Sequence, residues 1–205
     1  MDFTIPSLFQ RDPASIWENA VPIIRYDDTT HAYLNTEIME PDQYNELCFR
    51  LATATNLDKF VLYINTPGGL IDSAFMLCDA IKNSPAHVTA KLTGTVASAG
   101  TIITMVCDDI IVSDHLSFMI HNYSAGVSGK GHEMKARQGF MDSSLNDAFR
   151  EFYTDFLTPS EMQEIIDGKD LWIGSDEVRT RWARRGTVVP PIADVTPRRG
   201  RPRKA

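Results

Sequence analysis

Short apolar runs that alternate with helical patterns constrain this chain most. Phe60-Val61-Leu62-Tyr63-Ile64 is unbroken apolar sequence, bounded by Asp58 on one side and by Pro67-Gly68-Gly69 on the other. Such a run reads as a strand buried on both faces, as in a parallel sheet. Ala74, Leu77, Cys78 and Ile81 then fall on one helical stripe. The unit repeats: Val88 to Leu92 reads as a strand, a small-residue turn from Gly94 to Gly100 ends it, and Ile102, Ile103 and Val106 mark the next helix. Ile110-Ile111-Val112 and Phe118-Met119-Ile120 add two more short strands. This alternation predicts an α/β fold with right-handed crossovers.

Pro6, Pro13 and Pro22, among scattered apolar groups, predict an N-terminal arm over 1–29 rather than a core element. Glu40-Pro41-Asp42 opens a helix whose apolar positions Tyr44, Leu47, Cys48 and Leu51 keep helical spacing. From Gly131 to Leu157 the pattern becomes one long aromatic-rich helix carrying Phe140, Met141, Leu145, Phe149, Phe152 and Tyr153. One small domain does not cover that much apolar surface, and a subunit interface is its natural use. Thr158-Pro159-Ser160-Glu161 then reads as a capping box with proline at the first turn. With 205 residues, 43% of them apolar, the chain can pack one domain with appendages. The division read here is an arm over 1–29, a main domain over 30–188 and a disordered basic tail over 189–205.

No run of about 18 apolar residues is present, so no membrane span is expected. Met1-Asp2-Phe3-Thr4 lacks the basic stretch before an apolar core that marks a signal peptide. Cys48, Cys78 and Cys107 are widely spaced in apolar patterns, which reads as buried thiols in a reducing compartment rather than a disulfide frame or a metal site. A cytoplasmic protein without metal or cofactor is the expectation. Charge is uneven: the first 178 residues hold 11 basic and 26 acidic side chains, near −15, whereas the rest carries +8. An acidic body gives no reason to expect nucleic-acid binding by the main domain. In the tail, Arg199-Gly200-Arg201-Pro202 resembles an AT-hook, whose arginines lie along the narrow minor groove of A·T-rich DNA. A solvated tail without a fixed partner, or one resting on an acidic neighbouring subunit, explains the same residues.

The chemistry gathers on Thr95-Val96-Ala97-Ser98-Ala99-Gly100. A helix starts at or just after Ser98, so its oxygen faces free N–H groups and the positive end of a helix dipole. An ordinary N-cap serine would look the same. It is not the elbow of α/β-hydrolases, because Val96 stands where that turn needs glycine. Gly68 and Gly69 fit a tight turn requiring positive φ, and equally a backbone N–H that a carbonyl oxygen can approach closely. His121 ends an apolar strand, where an imidazole can accept a serine proton or simply sit satisfied in a core. His115, on a polar turn, is the rival base, and His31, His87 and His132 read as surface groups. The acid that would orient the base is open among Asp167, Asp170 and Asp176.

Taken together, these segments resemble the Clp protease proteolytic subunit (ClpP) family, of the ClpP/crotonase superfamily, over roughly residues 30–187. Ile64-Asn65-Thr66-Pro67-Gly68-Gly69 is similar to the family's glycine turn, with threonine for serine. Gly94 to Gly100 resembles the nucleophile segment, Met119-Ile120-His121 the histidine segment, and Lys169-Asp170 the pair that supplies the acid. The resemblance implies repeated ββα units with a protruding handle helix at about 126–157, assembling into a heptameric ring or double ring. It implies a serine endopeptidase acting on unfolded proteins inside a chamber, with Ser98, His121 and Asp170 as triad and the N–H groups of Gly69 and Ala99 as oxyanion hole. Gly68, Gly126 and Val127 would contact an extended peptide, and a separate AAA+ unfoldase would feed the chamber. Three departures point to a divergent member, with a viral one among the candidates: an unfamiliar arm before residue 30, Leu171 where an arginine helps link rings, and a short segment near Asp108-Asp109. The alternatives are a catalytically silent structural or adaptor subunit and a head-maturation-type protease with one dedicated target.

Overall fold

In the computed structural model, which describes residues 20–126 and 128–185, the alternating apolar runs become one seven-stranded sheet. Its strands are β1 (Ile23–Tyr26), β2 (Thr29–Leu34), β3 (Lys59–Thr66), β4 (His87–Ala97), β5 (Asp109–Val112), β6 (Ser117–Ile120) and β7 (Leu171–Gly174). The helices are α1 (Asn45–Ala52), α2 (Ile71–Lys82), α3 (Ala99–Met105), α4 (Gly131–Tyr153), α5 (Pro159–Ile166) and α6 (Ser175–Arg184). Across the sheet the order is β1-β2-β3-β4-β6-β7, with β5 also on β4. β2, β3 and β4 pair in parallel and are joined through helices, as the alternation predicts. β5 and β6 pair with β4 in succession: Thr89 to Leu92 meets β5, and Thr95 to Ala97 meets β6. The 11 residues of β4 make room for both partners. Its C-terminal end therefore lies beside those of β3 and β6, the side on which open α/β sheets bind ligands.

Phe60, Leu62 and Ile64 of β3 and Val88, Ala90 and Leu92 of β4 are buried, in one core with Leu47, Leu51, Leu77, Ile102 and Ile103 from α1, α2 and α3. Each of these side chains larger than alanine stabilises the fold by about 1.5–3 kcal/mol relative to exposure. The positions between them are only half-buried, so the β3 run is sealed on one face rather than two. On the other face Tyr33 stacks on Tyr63 with ring centroids 4.5 Å apart, and the Lys91 ammonium lies 5.0 Å from the Tyr63 ring. Tyrosine and lysine carry apolar bodies onto a half-covered face, which an unbroken apolar run does not distinguish from a buried one. Cys78 and Cys107 are buried, and burial pushes the Cys78 thiol up to about 12. Cys48 is only half-buried.

Part of the stretch read as an arm belongs to the sheet. Ile23–Tyr26 forms an antiparallel edge strand on β2, with Ile23 opposite Ala32, and Val21 and Ile23 pack on the core. Pro22 immediately precedes it; its carbonyl accepts from the Tyr33 N–H at 3.1 Å, and having no N–H to return a bond it ends the strand. After Glu40 the chain makes a 3-10 turn, Pro41–Tyr44, before α1 begins. The long helix is present as the 23 residues of α4, but its buried side chains are Leu145, Phe149 and Tyr153, all in its C-terminal half. α5 opens on the expected capping box: Glu161 N–H donates to Thr158 Oγ1 at 3.3 Å, and Thr158 N–H to Glu161 Oε2 at 2.9 Å. Among the described residues no helix is long and apolar enough to cross a membrane. Arg199, Gly200, Arg201 and Pro202, the AT-hook-like residues, lie outside the described residues.

Candidate active site

β3 ends in Thr66-Pro67-Gly68-Gly69, and Ile38 pins the turn that follows. Ile38 N–H donates to the Gly68 carbonyl and Leu70 N–H to the Ile38 carbonyl, both at 2.7 Å. This bridge leaves the Gly69 N–H unused among the described residues. The approach is too close for any side chain: a Cβ on Gly69, at φ +143°, would lie 2.1 Å from the Ile38 oxygen. At Gly68, φ +104°, a Cβ would lie 2.5 Å from the Ser98 Cβ. Gly68 N–H donates to Thr66 Oγ1 at 3.1 Å, so threonine does here what a serine hydroxyl would do. Its N–H and carbonyl are thus both engaged within the turn that backs Ser98.

Ser98 stands between β4 and α3 at φ 53° and ψ −123°. A non-glycine residue there costs about 1–3 kcal/mol and persists only where its surroundings fix it. Here they do: Ser98 N–H donates to the Met119 carbonyl at 2.9 Å, and its carbonyl accepts from Thr101 N–H at 2.9 Å. The hydroxyl makes no cap bond, which removes the ordinary N-cap reading. It meets His121 Nε2 at 2.7 Å instead. Ala99 is the first residue of α3, so its N–H precedes any intrahelical acceptor, and among the described residues it has no partner.

His121 follows β6 directly, and pairing of Ala97 with Met119 sets the two strand ends side by side. The rivals fall away: His115 lies exposed in a turn, His87 faces Asp109, and His132 is exposed. His31 is half-buried against the Tyr63 hydroxyl rather than on the surface. Among the acids, Asp167 accepts from Gln163 and Asp176 pairs with Arg179. Asp170 is exposed, and among the described residues its carboxylate has no hydrogen-bond partner. Ile120 pairs with Leu171 in the antiparallel β6/β7 ladder, so one step further the register sets Asp170 opposite His121. The structure thus joins Ser98 to His121 and leaves Asp170 adjacent in backbone but unbonded.

An apolar cleft of about 230 Å³ opens at Ser98 and His121, with Leu70, Ile71, Ile102, Met141, Leu145 and Phe149 among its walls. Tyr123, at its rim, donates its hydroxyl to Asp142 of α4. The segment after His121 has no regular structure; Gly126 is exposed with open space where a side chain would be, and Val127 lies outside the described residues. Sequence reasoning missed the part played by Ile38, which carries no chemical signal. It also missed the buried pair Thr101–Tyr153, for which a threonine three residues after the serine was the one available hint.

The family model described as Clp protease matches residues 24–165, a span that holds Ser98 and His121 and stops short of Asp170. Among curated relatives, the ATP-dependent Clp protease proteolytic subunit 3 of Rhizobium meliloti (strain 1021) is 29% identical over 152 residues, 71% of this chain and 74% of that protein. Subunit 3 of Rhodococcus jostii (strain RHA1) is 26% identical over 157 residues, 75% of this chain and 76% of that protein. Subunit 1 of Chlamydia caviae is 26% identical over 123 residues, 58% of this chain and 64% of that protein.

Proposed function

This chain belongs to the Clp protease family, and from that premise we propose that it is a serine endopeptidase acting on unfolded polypeptides. What carries the reading is the 2.7 Å contact between Ser98 Oγ and His121 Nε2, made by a serine held at φ 53°. Ser98 attacks the peptide carbonyl while His121 takes its proton. The oxygen that becomes negative is held by the N–H groups of Gly69 and Ala99, neither of which is engaged among the described residues. His121 then protonates the leaving amine, and water repeats the sequence to free the enzyme. Asp170, opposite His121 in register, turns onto Nδ1 and stabilises the imidazolium. The apolar cleft takes an apolar side chain beside the scissile bond, and the segment through Gly126 and Val127 lies along the peptide.

The relatives are named as proteolytic subunits of an ATP-dependent protease. That supports a cytoplasmic ring of this chain, fed by a separate ATP-dependent unfoldase. The experiment is cleavage of an unfolded model protein and fluorogenic peptides, together with fluorophosphonate labelling mapped by mass spectrometry. We expect label on Ser98 and a loss of turnover of about 10,000-fold or more in Ser98→Ala. Neither label nor turnover in wild type would overturn the reading.

A further inference from the structure

One buried chain of hydrogen bonds reaches the back of the site from α4. Tyr153, 1% exposed, places its hydroxyl 2.6 Å from Thr101 Oγ1, and Thr101 Oγ1 lies 2.7 Å from the Ser98 carbonyl oxygen. A carbonyl only accepts, so the single Thr101 proton goes to Ser98. The Tyr153 hydroxyl must therefore donate to Thr101. A helical threonine that bonds back to a carbonyl is commonplace, and Thr104 does so with Gly100 at 2.9 Å. What sets Thr101 apart is the second link, to a phenol of another helix, and the carbonyl it holds.

That carbonyl belongs to the same peptide plane as the Ala99 N–H. In a trans peptide the two point in opposite directions, so whatever aims the Ser98 C=O into the protein aims the Ala99 N–H out of it, into the cleft. Thr101 holds the carbonyl twice, through its N–H at 2.9 Å and its hydroxyl at 2.7 Å. Each bond in such a chain also polarises the next, which strengthens the terminal N–H as a donor. Resting on the serine peptidase reading above, we infer that Thr101 and Tyr153 are positioning residues: they fix and polarise the Ala99 N–H that receives the developing oxyanion.

Four variants test this: Thr101→Val, Tyr153→Phe, Thr101→Ser, and Ser98→Ala as the blank. Thr101→Val keeps the shape and loses the hydroxyl, and we expect kcat to fall by about tenfold, a fraction of the about 100-fold to 1,000-fold lost with a whole oxyanion donor. Tyr153→Phe, which leaves the Thr101 bond in place, should lower kcat less, and Thr101→Ser should restore it. KM and the pH at which activity is half-maximal should stay put, because His121 and the cleft are untouched. Affinity for a peptidyl boronate, which forms a tetrahedral adduct on Ser98, should fall in step with kcat, whereas binding of an uncleaved peptide to the Ser98→Ala forms should not change. A wild-type kcat in both Thr101→Val and Tyr153→Phe overturns the inference, as does a rise in KM alone or a failure of Thr101→Ser to rescue. Should a variant unfold, as judged by circular dichroism, the remaining hydroxyl variant decides. Unlabelled Ser98 in wild type is a different outcome: it overturns the peptidase reading itself, and the positioning role with it.

Discussion

Ser98 sits where an L-residue is strained and glycine is not, at φ 53° and ψ −123°. The strain is testable because it reverses a usual sign. Replacing alanine by glycine normally destabilises, through the freedom glycine gains in the unfolded chain. Here Ser98→Gly should be more stable than Ser98→Ala by about 1 kcal/mol, since only glycine relaxes at this backbone position. Urea unfolding of the two inactive variants measures it, and the opposite order would remove the case for strain. Gly69→Ala asks a related question at the oxyanion turn. Its Cβ would meet the Ile38 oxygen at 2.1 Å, so either Ile38 or the turn must move. We expect a loss of more than about 1 kcal/mol of stability and of about 100-fold or more in turnover, as when an oxyanion donor is removed. Retention of full activity would mean that this N–H holds no oxyanion. The serine, the histidine and the glycine turn could all be picked out from residue types and their order. The choice between N-cap and nucleophile could not, because both put a serine at a helix start; only the backbone angles and the missing cap bond separate them. Resemblance alone singles out Asp170 from Asp167 and Asp176; the β6/β7 register sets its backbone opposite His121 with no bond between the two side chains.

Two helices after the site are braced by one ion pair. Arg181 of α6, 8% exposed, donates to both oxygens of Glu161 at 2.7 and 2.9 Å and to Glu177 at 2.8 Å, while Glu161 also closes the α5 capping box. The Arg181 guanidinium is the main reason the Glu161 carboxyl is held down at about 2, against burial, which acts the other way. A carboxyl with a depressed folded-state value contributes stability above its ordinary value near 4.5 and loses it as pH falls toward about 2. Glu161→Gln should therefore cost about 1–3 kcal/mol at pH 7, and its deficit against wild type should shrink as pH drops through that window. Denaturant unfolding at pH 7, 4 and 3 follows it, and a deficit independent of pH would assign the loss to the cap alone. At this scale the sequence was read well where periodicity is strong, as in β3, β4 and α4, and at the Thr158 cap. β1 escaped because a four-residue edge strand next to a proline has no period to detect. The half-open face of β3 escaped because tyrosine is apolar enough to complete an apolar run.

Only the C-terminal half of α4 buries side chains in a single chain. None of its residues from Gly131 to Ser144 is buried, and Phe140 is 72% exposed. A free helix of about that length is marginal in water, so packing against another surface is what would stabilise it. Among the described residues its buried side chains are Leu145, Phe149 and Tyr153, all toward its C-terminus. On the sheet face that carries the Tyr33–Tyr63 stack, Ile111 is also 53% exposed, in register with Lys91. Two separate uncovered apolar areas suit a ring, in which each subunit meets neighbours on more than one side. Native mass spectrometry should then find a particle many times 23.0 kDa. Phe140→Asp should yield smaller species whose circular dichroism matches wild type, because the substitution lies outside the core that folds each chain. The projecting half-helix also lines the cleft through Met141 and holds Tyr123 through Asp142, so the smaller species should lose turnover while fluorophosphonate still labels Ser98. A wild-type protein that is a monomer at micromolar concentration, yet cleaves peptides at full rate, would separate the chemistry of Ser98 from assembly and leave α4 without the role its exposed half implies.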